Sequence, residues 1–227
     1  MKPKNPHPFF LNKTRPLVKI CGLTQPKNAL ACVHAGADMI GLVFFKKSPR
    51  NIEFDKAKQI TSALPVSVLV CGVFVDEDFD TIMQTVEGTG IQGVQLHGSE
   101  PPLLAEQLSH QGLVVIKAFF AARKPDFSLV KTYEYADLCL VEYGKGVLPG
   151  GNAETWDYGL TQNLTPQVPL MLAGGLSPDN IGQALAQAPP MAVDASSGVE
   201  LSPGIKDIPK VLAFVEAAKA CPMQRGW

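Results

Sequence analysis

Eight short apolar runs, rich in β-branched residues, recur along the chain with helix-like segments between them. The runs are "PLVKIC", "ADMIGLVF", "VSVLVCGVFV", "IQGVQLHG", "LVVIKAFF", "ADLCLVEY", "VPLMLAGG" and "MAVDASSG". Near-continuous apolar strands that alternate with helices are typical of a parallel sheet covered on both faces. Eight such units within 227 residues predict an α/β fold, a single (β/α)8 TIM barrel. An open, doubly wound parallel sheet is the alternative.

The segments between the runs carry start signals for helices. Thr24, Asp78, Ser177 and Asp207 each precede a periodic segment, and we expect each of them to cap a helix. The segment Trp156–Gln162, "WDYGLTQ", is the least regular of the predicted helices.

The ends of the chain differ from its middle. We expect the barrel to span residues 16–220, with a flexible N-terminal tail at 1–15 and a C-terminal tail at 221–227. The opening stretch "MKPKNPHPFFLNKTRP" lacks the apolar core of a signal peptide, since only "FFL" lies between prolines and polar residues.

Composition argues against several classes of partner. With a formal net charge of −1, the chain carries no electrostatic footprint for nucleic acid or an anionic membrane surface. No apolar run approaches the roughly 20 residues that span a bilayer. The cysteines show no paired metal spacing and are typical of buried thiols in a reducing compartment: Cys21, Cys32, Cys71, Cys139 and Cys221. We therefore expect a cytoplasmic protein without nucleic-acid or membrane partners.

Polar residues collect where the strand-like runs end. Side chains alternate between the two faces of a strand, so each of these residues lies opposite the face that packs on helices. In a barrel, the carboxyl ends of the strands carry the active site. The residues concerned are Cys21, Gln95, His97, Glu142, Asp194 and Ser196.

The stretch "PLVKICGLT" places Lys19 and Cys21 on one strand face, opposite Val18 and Ile20. A nearby cation lowers the pKa of a thiol and raises its thiolate fraction, so Cys21 is a candidate functional residue. A core thiol is the alternative for Cys21.

Two glycine- and serine-rich turns follow the last two strands. Gly174 and Gly175 in "AGGLSPDN" allow close backbone approach, and Ser177 is expected to begin a helix whose amides attract anions. The turn Ser196–Gly198, which includes Ser197, follows the eighth strand. Such loops frequently bind phosphate in barrels, and ordinary tight turns are the alternative.

Two further residues are candidates for ligand contact. Arg50 in "KKSPRNI" could bind a carboxylate through its planar fork, although an exposed loop arginine is usually only solvated. His97 is interpreted as a hydrogen-bonded structural histidine at the rim of the substrate site rather than as a catalyst.

Six motifs together resemble the phosphoribosylanthranilate isomerase family of tryptophan biosynthesis. They are "VKICGLT", "GLVFFKKSPRNI", "GVFVD", "GVQLHGSE", "LAGGLSPDNI" and "VDASSGVELSPGIKD", in the order that the family has them. The resemblance covers the chain from Pro16 to about Ala220. It implies a (β/α)8 barrel without metal or organic cofactor, acting on a small phosphosugar as a monomer or homodimer. The implied reaction is the Amadori rearrangement of N-(5-phosphoribosyl)anthranilate.

The resemblance also assigns roles. It implies that Cys21 is the general base and that Arg50 binds the anthranilate carboxylate. Gly174–Gly175 and Ser196–Gly198 would hold the phosphate, and Asp194 would contact the anthranilate amino group.

One segment departs from the family pattern. The sixth strand of the family usually ends in aspartate, the general acid, and here "LVEYGKGVLPGGNAETWDY" places Glu142 there. Asn152–Ala153 stand where threonine or serine and glycine are expected. The departure leaves a non-catalytic or altered-substrate phosphosugar-binding barrel as the alternative function. A metal-dependent phosphosugar epimerase would need several histidine and aspartate ligands at strand ends, and His97 is the one histidine available there.

Overall fold

The computed structural model describes residues 7–144, 155–164 and 169–221, and a closed barrel of eight parallel strands forms its centre. The strands are β1 Leu17–Cys21, β2 Met39–Val43, β3 Leu69–Phe74, β4 Gly93–Leu96, β5 Val114–Phe120, β6 Leu138–Glu142, β7 Leu170–Leu172 and β8 Ala192–Ala195. The predicted (β/α)8 architecture is confirmed. The open sheet is excluded because β1 pairs with β8 and closes the ring.

Helices cover the outside of the barrel. In the described parts of the chain they are α1 Pro26–His34, α2 Phe54–Ala63, α3 Phe79–Thr89, α4 Pro102–His110, α5 Ile181–Gln187 and α6 Ile208–Ala220. Two short strands after β8, β9 Glu200–Ser202 and β10 Ile205–Lys206, form a small antiparallel hairpin. Across the three described ranges, no helix is long and apolar enough to cross a membrane.

The predicted caps are right in two places and wrong in two. Asp78 and Asp207 each accept a hydrogen bond from the backbone of the helix that follows. Thr24 lies one residue too early, and its hydroxyl donates to the Gly204 carbonyl instead. Ser177 does not begin a helix, because a turn intervenes and α5 starts only at Ile181.

The segments after β5 and β6 form short 3-10 helices, Phe127–Thr132 and Tyr158–Thr161, where α-helices were expected. Side-chain hydrogen bonds explain the second case. Trp156 Nε1 donates to the Ala173 carbonyl and the Tyr158 hydroxyl donates to the Gly174 carbonyl, at 3.0 and 2.8 Å. The segment is therefore held against the end of β7 instead of continuing as a helix.

The alternation of side chains along β1 divides the interior in two. Val18 and Ile20 belong to the large apolar cluster that includes helix residues such as Phe214. Leu17 belongs to a second cluster, with Met39 and residues of the other strands, that fills the barrel. Lys19 lies on the same face as Leu17 and is completely buried, so the barrel interior contains an ammonium group.

The N-terminal segment reaches this inner cluster. Pro8–Phe10 forms a 3-10 turn, and Phe10 is buried among the inward residues while Leu11 next to it is exposed. A flexible tail was expected over residues 1–15, but its described part instead packs an aromatic ring against the barrel. Of the other expected tail, 221–227, all but Cys221 lies outside the described residues.

Replacing Phe10 with alanine should therefore destabilise the barrel. Truncating a buried phenylalanine typically lowers the free energy of unfolding by about 3–5 kcal/mol, because burial and packing are both lost. Leu11→Ala is the matched control and should change it by no more than about 0.5 kcal/mol. Urea unfolding measures both, and equal effects for the two variants would contradict the packing of Phe10.

Candidate active site

A cavity opens at the carboxyl ends of the barrel strands. Its walls differ in chemistry. Val43, Phe45, Val73 and Val75 form an apolar side beside Arg50, and glycine- and serine-rich turns form another side. The cavity is lined by every residue that the sequence assigned to the site: Cys21, Arg50, His97, Glu142, Gly174, Gly175, Asp194, Ser196, Ser197 and Gly198.

Beneath the cavity, Lys19 and Asp194 form a buried ion pair. Lys19 Nζ lies 2.9 Å from Asp194 Oδ1, and the exposed fractions of the two side chains are 0% and 10%. The two residues are also register partners where β1 meets β8. Burial by itself would lower the pKa of Lys19, but Asp194 and the neighbouring thiols outweigh it and raise that pKa, so Lys19 is a cation.

The ionisation of Cys21 differs from the expectation. Lys19 does lower the pKa of this thiol, as predicted, but burial raises it by more and Asp194 adds to the rise. The pKa of Cys21 therefore lies above its ordinary value, and the thiol is protonated in the free protein at neutral pH. Burial is the main cause, and Asp194 adds to it because its charge opposes that of Lys19.

Glycines make room for the thiols of Cys21 and Cys71, which together form a thiol layer across β1 and β3. Cys21 pairs in register with Gly41, which pairs with Cys71, which in turn pairs with Gly93. A Cβ atom on Gly41 would stand 2.6 Å from Cys21 Sγ, and one on Gly93 would stand 2.6 Å from Cys71 Sγ. The position of each sulfur therefore depends on the absence of a side chain on the neighbouring strand.

Glu142 ends β6, and its carboxylate lies close to the ring of a histidine. Glu142 Oε1 lies 3.4 Å from His97 Nε2, and His97 Nδ1 lies 2.8 Å from Gln95 Nε2. If the Gln95 amide donates to Nδ1, a proton on the ring lies at Nε2, toward Glu142. Gln95 Oε1 and His97 Nε2 have no hydrogen-bond partner among the described residues. His97 thus faces the acid candidate from the cavity wall.

The two glycine-containing turns form one surface. Gly174 and Gly175 have positive φ values of 85° and 65°, which glycine adopts without strain. A Cβ atom on Gly198 would lie 2.1 Å from the Leu176 carbonyl oxygen, so the turns after β7 and β8 pack directly against each other. The backbone amide of Ser177 already donates to Asn180 Oδ1 and is not available to an anion.

Arg50 reaches the cavity from the loop after β2, and its guanidinium is already paired. Glu200 accepts two hydrogen bonds from it, and Lys206 donates to the same carboxylate. Sequence reasoning missed both Glu200 and Lys206. The signal that could have found them is the presence of two opposite charges, six residues apart, beside the turn at Ser196–Gly198.

The matching family model is that of N-(5'-phosphoribosyl)anthranilate (PRA) isomerase, over residues 18–217. The chain belongs to the phosphoribosylanthranilate isomerase family. A relative in this family, from Desulfatibacillum aliphaticivorans, is 48% identical over 201 residues, covering 88% of this chain and 92% of the relative.

Two solved structures of the family also align with this barrel. One is a phosphoribosylanthranilate isomerase in complex with reduced 1-(o-carboxyphenylamino)-1-deoxyribulose 5-phosphate. It aligns with a TM-score of 0.81 and 34% sequence identity, and the alignment covers 91% of this chain and 100% of that one. The other contains monomers of the dimeric isomerase from Thermotoga maritima, with a TM-score of 0.80, the same identity and the same coverage. The departure noted at Asn152–Ala153 lies outside the described residues.

Placing a methyl group on Gly41 should displace the Cys21 sulfur and reduce turnover by the isomerase. A misplacement near 1 Å at a reacting group can cost about a hundredfold in rate, so we expect Gly41→Ala to lower kcat by that order. Gly93→Ala is the matched control, because it meets the Cys71 thiol at the same 2.6 Å in the same layer.

The control should lower the free energy of unfolding to a similar extent while costing less than about tenfold in kcat. Equal losses of kcat in Gly41→Ala and Gly93→Ala would mean that the two glycines affect turnover only by stabilising the fold.

Proposed function

We propose that the protein catalyses the Amadori rearrangement of N-(5-phosphoribosyl)anthranilate to 1-(2-carboxyphenylamino)-1-deoxyribulose 5-phosphate, a step of tryptophan biosynthesis. One observation carries the proposal. Cys21 and Glu142, on different strands, face a single cavity that also offers an apolar wall with an arginine and a surface of two glycine turns. Family membership over residues 18–217 supports the same conclusion.

The cavity has a suitable place for each part of this substrate. The aromatic ring packs against Val43, Phe45 and Val73, with its carboxylate toward Arg50. The phosphate lies on the turns at Gly174–Gly175 and Ser196–Gly198. The aminoribose then lies between them, with Asp194 near the anthranilate nitrogen.

The chemistry requires one acid and one base. The acid, Glu142, protonates the ring oxygen of the aminoribose, so that the furanose opens to a Schiff base. The base, Cys21, removes the proton from the neighbouring sugar carbon, and the resulting enolamine relaxes to the ketone. Each such group typically contributes about 10²–10⁴-fold. None of these steps uses a cofactor.

The setting follows from the reaction. The substrate is a charged sugar phosphate of amino-acid biosynthesis, and such metabolites are found in the cytoplasm. We therefore propose that the protein is cytoplasmic. Whether it acts as a monomer or a homodimer stays a prediction; the Thermotoga maritima relative is described as dimeric.

Turnover of the substrate, generated in the cuvette, tests the proposal. The purified protein should convert it to the ketose, and reduced 1-(o-carboxyphenylamino)-1-deoxyribulose 5-phosphate should inhibit competitively. A folded protein that binds this analogue without turnover would be the non-catalytic barrel. A protein that neither binds nor turns over would have a different ligand.

The acid assignment is tested by comparing two substitutions at Glu142. Glu142→Gln keeps the size and removes the proton, so kcat should fall by about 10²–10⁴-fold. Glu142→Asp keeps the acid but draws it back by about 1.5 Å, so it should keep measurable chemistry at up to about a hundredfold lower rate. Steady-state kinetics decides. If Glu142→Gln is as active as the parent, another group supplies the proton, and Asp194 is the next candidate.

A further inference from the structure

A buried cluster of three charges lies beside the cavity, and Glu200 is at its centre. Glu200 Oε2 accepts from Arg50 Nη2 at 2.6 Å, and Oε1 accepts from Arg50 Nε at 2.9 Å. The same Oε1 accepts from Lys206 Nζ at 2.7 Å and from the Gly204 amide at 3.1 Å. The exposed fractions of the Arg50, Glu200 and Lys206 side chains are 12%, 6% and 0%.

The bidentate contact determines how Arg50 faces the cavity. Glu200 occupies the edge formed by Nε and Nη2, and no described residue accepts from the other three N–H donors of the guanidinium, which can bind a second carboxylate. The stem of Arg50 is confined as well, because a Cβ atom on Gly22 would lie 2.5 Å from its Cδ. A long side chain that is otherwise mobile is thus held in one orientation before any ligand arrives.

Lys206 extends the cluster to the turn after β8. Its Nζ lies 3.2 Å from the Ser196 carbonyl oxygen and 3.4 Å from Ser196 Oγ, and that hydroxyl donates to the Cys21 carbonyl at 3.0 Å. Glu200 therefore connects Arg50 with the glycine-serine turn after β8.

The charges depend on one another. Burial raises the pKa of Glu200, but Arg50 and Lys206 outweigh it and hold that pKa below its usual value, so Glu200 is an anion. Burial lowers the pKa of Lys206 and Glu200 partly restores it. Without Glu200, two cations would remain in a buried site with no anion between them, and Lys206 would lose its proton more readily.

We propose that Glu200 is a positioning residue: it aims the Arg50 guanidinium at the aromatic carboxylate of the substrate and couples it, through Lys206, to the turn at Ser196. The inference rests on the proposed function, because the carboxylate partner of Arg50 belongs to that proposal. Glu200 itself does not touch the reacting atoms and acts through Arg50.

A double-mutant cycle between Glu200 and Arg50 tests this role. The ligand is reduced 1-(o-carboxyphenylamino)-1-deoxyribulose 5-phosphate, titrated by calorimetry into the wild type, Glu200→Gln, Arg50→Ala and the double variant. Glu200→Gln should weaken binding by about tenfold to a hundredfold, since its amide nitrogen faces a donor of Arg50 or Lys206. In the Arg50→Ala background the same change should cost less than about threefold. In turnover, KM should rise more than kcat falls.

Two controls separate positioning from general stability. Asp38→Asn breaks another bidentate arginine pair, with both distances to Arg15 at 3.1 Å, at the opposite end of β2 from the cavity. It should leave analogue affinity unchanged. Ribose 5-phosphate, which lacks the aromatic carboxylate, should lose less affinity than the analogue on Glu200→Gln. If that variant does not fold, Glu200→Asp keeps the charge and should give a smaller loss of the same kind.

Equal losses in the two Arg50 backgrounds, or equal losses for the analogue and ribose 5-phosphate, would overturn the positioning role. So would unchanged affinity in Glu200→Gln. Failure of the proposed function is visible separately in the wild type. Binding of the analogue without turnover would overturn the proposed function and leave the Glu200 binding cycle readable, whereas a wild type that does not bind the analogue would overturn both proposals.

Discussion

The buried ion pair between Lys19 and Asp194 is the interaction on which the rest of the site depends. It lies at the seam where β1 meets β8, so the same contact helps to close the barrel and forms the floor of the cavity. Taking two charges out of water is costly, and a buried pair rarely stabilises a fold by itself. Its effect here is electrostatic. It keeps a cation beneath the Cys21 thiol while Asp194 reduces that cation's influence.

This balance determines the ionisation of Cys21. In the free protein the Cys21 thiol is protonated, whereas the proposed mechanism needs a thiolate at Cys21 and a proton on Glu142. Burial of Cys21 and the charge of Asp194 keep the proton on the thiol and Lys19 opposes them, while His97 Nε2 lies 3.4 Å from Glu142 Oε1 on the facing wall.

Much of the fold and of the site could be predicted from the sequence because both depend on local patterns. Strand alternation and the rule that barrel sites lie at carboxyl ends suffice to bring Cys21, Glu142 and Asp194 to one cavity. The cluster around Glu200 could not be predicted this way, since its contact with Arg50 joins residues 150 positions apart. The direction of the Cys21 pKa shift also could not be predicted from the sequence. Burial raises this pKa and the neighbouring Lys19 lowers it, and only the structure shows which effect is larger. The helix expected after β6 failed for a similar reason, because contacts of Trp156 and Tyr158 with the end of β7 override local preference.

The pH dependence of Cys21 alkylation in the free protein tests this account most directly, because iodoacetamide reacts with the thiolate and not the thiol. Mass spectrometry of the Cys21 peptide separates this thiol from the other cysteines. Because burial outweighs Lys19, the rate should rise about tenfold per pH unit from about 7 to 9 without reaching a plateau, and bound product analogue should protect Cys21. A plateau already reached near pH 8 or below would contradict it, because Lys19 would then outweigh burial and the base would be ionised before substrate binds.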